Sequence, residues 1–195
     1  MITMDWNTLP DNLPVPVDDG AADHLKAQHE LAEIDHIILP ATSGPFVNIY
    51  AESFERPVLL FIYPRTGQPG VPNPNGWDDI PGARGCTPEL CGIKDSVESF
   101  LQLTPRPAIF ALSTQGTAYQ LEVATRLSLP YPILSDERLE LTRALHLPTF
   151  EVEGQTLLKR ITLLFDKGRI TGLQYPVFPS NQAAQDAQKL FDLQS

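Results

Sequence analysis

Pro81-Gly82-Ala83-Arg84-Gly85-Cys86-Thr87-Pro88-Glu89-Leu90-Cys91 is the stretch on which the reading of this chain turns. It carries the only two cysteines of the 195 residues, five positions apart, behind a glycine-rich turn. Downstream, Leu90, Ile93, Val97, Phe100 and Leu101 recur at helical spacing, which predicts a helix from about Thr87 to Leu103. Pro88 suits its first turn, where a missing N–H is no loss. A thiol at a helix N-terminus feels the positive end of the backbone dipole, and Arg84 adds a second positive charge nearby. Both favour thiolate, the reactive form of cysteine. On the same helical wheel Cys86 falls near the apolar face and Cys91 off it. Cys86 is therefore read as a redox nucleophile and Cys91 as its partner.

Helix geometry adds a constraint. Five residues in a regular helix are separated by roughly 7.5 Å of rise and about 140° of rotation. A disulfide brings Cα atoms to about 4.4–6.8 Å with converging Cβ vectors. A Cys86–Cys91 bridge therefore requires the first turn to open, which suits a cycling pair better than a static staple. On the residues alone, other readings stay open. The two thiols can be inert core residues, or metal ligands, although zinc pairs stand about two to four residues apart and no third ligand is evident. A thiol–disulfide oxidoreductase would normally show Cys-x-x-Cys.

Working outward, Val58-Leu59-Leu60-Phe61-Ile62-Tyr63 is a continuous apolar run, as expected of a central strand covered on both faces. It exits at Pro64-Arg65-Thr66-Gly67 into residues 67–79, whose Gly, Pro and Asn content predicts a loop. No Gly-Lys-Ser/Thr follows, so this is not a nucleotide P-loop. Ala108 to Ser113 reads as a second buried strand, and Tyr119, Val123 and Leu127 mark a helix face after it. Residues 130–134 read as extended and 136–145 as a short helix. Leu157 to Phe165 reads as one strand, turning at Asp166-Lys167-Gly168 into 169–173. Ala184, Ala187, Leu190 and Phe191 give a closing helix its apolar stripe. Upstream, Ile37–Leu39 and Phe46–Tyr50 flank a Ser-Gly turn and predict a hairpin. Ala21 to Glu33 reads as a short helix in an acidic extension. The whole implies an α/β fold with a central mixed sheet flanked by helices, residues 1–35 forming an N-terminal extension and 36–195 one domain.

Composition narrows the function. A net charge of -10 argues against nucleic acid and anionic membrane surfaces, both of which call for Lys/Arg-rich faces. No apolar segment reaches transmembrane length, and the N-terminal residues lack the basic and apolar regions of a secretory signal. The expected setting is the reducing cytoplasm, where a cysteine pair is more often catalytic, sensing or metal-binding than structural. His24, His29, His36 and His146 have no Cys or carboxylate at ligand spacing and read as ordinary surface histidines.

Gly85-Cys86-Thr87-Pro88-Glu89-Leu90-Cys91, after a strand ending in Tyr63-Pro64, resembles the peroxiredoxins of the bacterioferritin-comigratory or Q-type branch. Ile93-Lys94-Asp95 stands where such sequences have an aromatic-Arg-Asp, and Leu112-Ser113-Thr114, residues 129–136 and Lys159-Arg160-Ile161-Thr162 correspond to further blocks of that family in order, over roughly residues 36–176. The resemblance implies a thioredoxin-like fold and a thiol peroxidase without a prosthetic group. It implies hydrogen peroxide and organic hydroperoxides as substrates, a peroxidatic Cys86, a resolving Cys91 and a thioredoxin-type reductant. Arg160 matches the arginine that stabilises the thiolate and the breaking O–O bond, and this branch is often monomeric or weakly dimeric. Pro64, Arg84 and Gly85 are expected to frame the peroxide. One departure is plain: where the family has a threonine three residues before the cysteine and a proline seven before, this chain has Ala83 and Asp79. Residues 67–79 therefore read as an insertion splitting the motif, with Thr66 the candidate to fold back and supply the missing hydroxyl. That departure also motivates a rival reading, a redox sensor or interaction module with little peroxidase activity.

Overall fold

The computed structural model describes residue 9, residues 12–27 and residues 30–192. Its centre is a five-stranded sheet of order β3-β2-β1-β6-β7. β1 (Val58–Ile62), β2 (Ala108–Ser113) and β3 (Ile133–Ser135) run parallel, while β6 (Ile161–Asp166) lies antiparallel to β1 and β7 (Arg169–Gln174) antiparallel to β6. β1 is central, and all five of its residues are buried. The lack of polar alternation in its sequence has that cause.

Side chains alternate across a strand, so β1 feeds two cores. Val58, Leu60 and Ile62 pack on one face with Ala22, Leu25, Leu31 and Ile34 of the N-terminal segment, with Ile49 of α1 (Ile49–Glu55) and with Leu141 of α4 (Glu140–Ala144). Leu59, Phe61 and Tyr63 pack on the other. There they meet Leu90, Ile93 and Phe100 of α2 (Cys86–Leu101), Val123 of α3 (Thr117–Leu127) and the alanines of α5 (Ala183–Asp192). Cys86 belongs to this second core and is 4% exposed. The helical stripe that predicts α2 is thus the stripe that docks it under β1.

Several expectations need correction. The helix expected over 21–33 is instead two 3-10 turns, Asp23–Ala27 and Ala32–Ile34, with His29 outside the described residues. Tertiary pairing interrupts it, since Glu30 bridges Arg169 and the Leu31 N–H donates to Gly168 O at 2.8 Å. The early hairpin reduces to one bridge, Leu39 to Val47, because the Asn48 side chain accepts from Ala51 N at 2.8 Å and starts α1 there. The helix expected over 136–145 is the shorter α4, begun where the Asp136 carboxylate accepts from the backbone N–H groups of Leu141 and Thr142. The single strand expected from 157 to 165 is two. β5 (Gln155–Leu158) pairs with β4 (Thr149–Val152) in a separate hairpin, and the chain then bends at Lys159-Arg160 before entering β6. That bend aims Arg160 at the cysteine.

Candidate active site

Cys86 is the first residue of α2, and Gly85 before it has φ +103°. Only glycine adopts this backbone readily, and a Cβ here would also collide with the Ser180 hydroxyl and approach Leu9 Cδ2 to 2.8 Å. Gly82, at φ +76°, makes the preceding turn. Between them, Ala83 is fully buried with Trp77, Val152 and Leu157, which fixes the turn against the β4–β5 hairpin. The loop of residues 67–79 is tied down at its end by Trp77, over whose ring the Arg65 guanidinium stacks at 5.8 Å.

The sulfur has two polar contacts among the described residues. Cys86 Sγ donates to Ala83 O at 3.6 Å and accepts from Arg160 Nη2 at 3.2 Å. A carbonyl therefore faces the thiol proton and a guanidinium faces the sulfur lone pairs, so both protonation states have a partner. Arg160 is 3% exposed and its direction is fixed. Nη2 also donates to Gly82 O at 3.1 Å and Arg84 O at 3.2 Å, while Nη1 forms a buried ion pair with the Glu89 carboxylate. Glu89 stands one turn after Cys86 on α2, so the helix that carries the thiol also carries the counter-ion of the arginine. An arginine serves such a place because its planar fork can bind a carboxylate, carbonyls and a sulfur at once without losing its charge.

Cys91 lies one turn and a half further on, half-buried, and both thiols are free. Burial, with the Asp95 carboxylate nearby, pushes the Cys91 thiol above its ordinary value. Burial likewise raises Tyr63, an effect the neighbouring Ser113 hydroxyl only partly offsets, so it stays a neutral phenol beneath the site. Tyr131 OH donates to Leu90 O at 2.7 Å and pins the middle of the first helical turns to the sheet.

The other expected site residues fall as follows. Pro64 lines a cavity of about 340 Å³ together with Gly82 and Arg160, the residue that touches the Cys86 sulfur. The side chain of Arg84 turns to Asp78, at 2.5 and 2.6 Å from its two carboxylate oxygens, and offers the site only its backbone carbonyl. Thr66 is buried, but its hydroxyl donates to Gln115 Oε1 at 3.2 Å, and Gln115 Nε2 and Tyr119 OH hold its carbonyl. No contact between Thr66 and Cys86 is formed among the described residues' hydrogen bonds. Glu89, which the cysteine stretch carries without an expected task, is the buried ion-pair partner of Arg160. Its signal is a carboxylate three positions after the cysteine, on the flank of an apolar stripe. Among the described residues no three His, Cys, Asp or Glu side chains gather as metal ligands would. His24 instead contacts Leu145 O at 2.9 Å and His146 ring to ring at 6.2 Å.

This arrangement can be set beside known proteins. No curated protein matches the chain. Among solved structures, it is similar to peroxidoxin BcpB of Mycobacterium tuberculosis (22% identity, TM-score 0.67, 87% of this chain and 98% of that one). The bacterioferritin comigratory protein of Xanthomonas campestris aligns with TM-score 0.67 at 15% identity, over 87% of this chain and 98% of that one. The PrxQ of Xylella fastidiosa aligns with TM-score 0.63 at 13% identity, over 96% of this chain and 98% of that one. These likenesses fix the fold as the thioredoxin-like one of peroxiredoxins. The match to the family described as Redoxin runs from residue 32 to residue 190, from the second 3-10 turn to the closing helix, and the chain therefore belongs to the Redoxin family.

Proposed function

We propose that this protein is a thiol peroxidase that reduces hydrogen peroxide and organic hydroperoxides through Cys86 and Cys91. Its membership of the Redoxin family and its peroxiredoxin neighbours support a thiol peroxidase. The single observation that carries the reading is the buried Arg160 guanidinium, 3.2 Å from the Cys86 sulfur and locked by Glu89 and two backbone carbonyls.

The Cys86 thiolate attacks one peroxide oxygen, an S–O bond forms and the O–O bond breaks. The departing oxygen takes a proton and leaves as water or an alcohol, so the peroxide is reduced and Cys86 becomes a sulfenic acid. Charge develops on both oxygens in that step. Arg160 meets it with a donor that needs no reorganisation and acts where water is excluded. The Cys91 thiol then attacks the sulfenic sulfur, the S–S bond forms and the S–OH oxygen departs as water. α2 is unbroken from Cys86 to Leu101, so this second step requires its first turn to open. A thioredoxin-type dithiol restores both thiols by exchange. Residues 36–195 form the catalytic domain, working in the cytoplasm as a monomer or weak dimer.

The test is coupled turnover with thioredoxin and its reductase. Cys86→Ser abolishes it; Cys91→Ser keeps one stoichiometric oxidation and loses the cycle. Full turnover by Cys86→Ser contradicts the proposal. One observation favours a second reading, a redox sensor of the same fold: with Ala83 at the family's threonine position, Thr66 gives its hydroxyl to Gln115 instead. A sensor would be oxidised no faster than a free thiol.

A further inference from the structure

The cavity beside Arg160 has a wall that comes from outside the matched family region. Val15, Pro16 and Val17 of the N-terminal segment line it together with Ile80, Phe150 and Val177, and the buried Arg160 lines it too. At about 340 Å³ it falls within the ~300–1,000 Å³ range of small-molecule sites. Its lining is apolar except near Lys159 and Arg160, and Lys159 is already paired with Asp19 at 2.5 Å. Asp19, Lys159 and Tyr175 bond one another, Arg160 is the lining residue that touches the Cys86 sulfur, and the rest of the wall is suited to hydrocarbon.

The segment is fastened in place. Asp19 accepts from Lys159 Nζ at 2.5 Å and from Tyr175 OH at 2.8 Å. The Pro16 ring lies 3.5 Å from the space a Cβ on Gly82 would fill, and Leu9 Cδ2 lies 2.8 Å from the corresponding space on Gly85. Lys159 adjoins Arg160 in the chain, so the fastening and the arginine share one stretch of backbone. Val15 and Val17 nonetheless remain 62% and 80% exposed. A segment anchored at both the turn and the bend, yet presenting uncovered valines to an apolar cavity, is a wall with room for something to lie against it.

We propose that Val15, Pro16 and Val17 determine specificity, seating the apolar chain of an alkyl hydroperoxide against Ile80, Phe150 and Val177 with its –OOH group at Arg160 and Cys86. This rests on the peroxidase reading and adds to it a selective part that the family region, residues 32–190, does not contain. The bond changes are those given above, with the departing oxygen leaving as the alcohol.

Two measurements on the full chain test it. In steady-state kinetics, decyl hydroperoxide is compared with hydrogen peroxide for the wild type and for Val15→Asp/Val17→Asp. The ratio of the two kcat/KM values falls about tenfold in the variant, through KM for the alkyl substrate, which is the usual scale of losing apolar contact in a pocket. An unchanged ratio overturns the proposal. In calorimetry, unreactive decanol binds the wild type saturably and the double variant about tenfold more weakly. Absence of saturable binding, or equal affinity for both, also overturns it. If neither peroxide is turned over while decanol binding depends on the two valines, the peroxidase reading fails and the seat for an apolar chain stands.

Discussion

Two arginines flank Cys86, each with a carboxylate, and they behave oppositely. Arg84 is two residues from Cys86 in sequence, but its guanidinium reaches outward to Asp78, a residue whose side chain is 59% exposed. Arg160 is 74 positions away in sequence, yet it touches the sulfur and pairs with a Glu89 side chain that is 0% exposed. Nearness in sequence is therefore no guide to which charge meets the sulfur. What decides is which arginine loses its water. In a dry site a guanidinium has few partners and a fixed direction, whereas an exposed pair is screened and contributes about 0–1 kcal/mol.

Mutations at the two pairs sharpen that contrast. The largest effect belongs to Arg160→Ala, which removes the donor on the sulfur and strands a buried Glu89. The rate of Cys86 oxidation by peroxide should fall about 10²–10³-fold, the scale of losing one preorganised donor, with stopped flow as the measurement. Glu89→Ala comes next. It leaves Arg160 charged, buried and uncompensated, so denaturant unfolding should show a loss of about 3–5 kcal/mol. Arg84→Ala or Asp78→Ala should cost only about 0–1 kcal/mol and leave the oxidation rate close to that of the wild type. A large kinetic effect at Arg84 would break the comparison.

A third pair, Lys159 with Asp19, lies between the two, its side chains 34% and 43% exposed. The Lys159 ammonium and the Tyr175 hydroxyl hold the Asp19 carboxyl down at about 2 from the ordinary 3.8. A depressed carboxyl stabilises the fold above its ordinary value and loses that contribution as pH falls through its folded one. Asp19→Asn should therefore be slightly less stable than the wild type at neutral pH. The difference should shrink between about pH 4 and pH 2 in thermal unfolding. A difference that persists undiminished at pH 2 would mean that the tether is not ionic.

The parts of this molecule that were legible in its sequence are those with a strong period. β1 and β2 show as unbroken apolar runs because both faces are covered, and α2 shows as a stripe because one face docks under β1. The β4–β5 hairpin was missed because its strands are short and half-exposed, so neither alternation nor a run marks them. Arg160 could be placed beside Cys86 only through family resemblance, since its position depends on a bend between β5 and β6. Glu89 looked like an ordinary helix carboxylate, and its burial follows from the approach of Arg160 rather than from anything local. Thr66 shows the reverse case. Its place at the strand end suggested a role at the thiol, but Gln115 and Tyr119, which converge on it only in the folded chain, take its hydrogen bonds.

The most direct test of the account is the rate at which reduced protein reacts with hydrogen peroxide, followed by stopped flow in the Cys91→Ser variant so that only the first step is seen. With Arg160 3.2 Å from the sulfur, the peroxidase reading predicts oxidation at Cys86 orders of magnitude faster than that of a free thiol. A rate no better than a free thiol would contradict the peroxidase and leave the sensor.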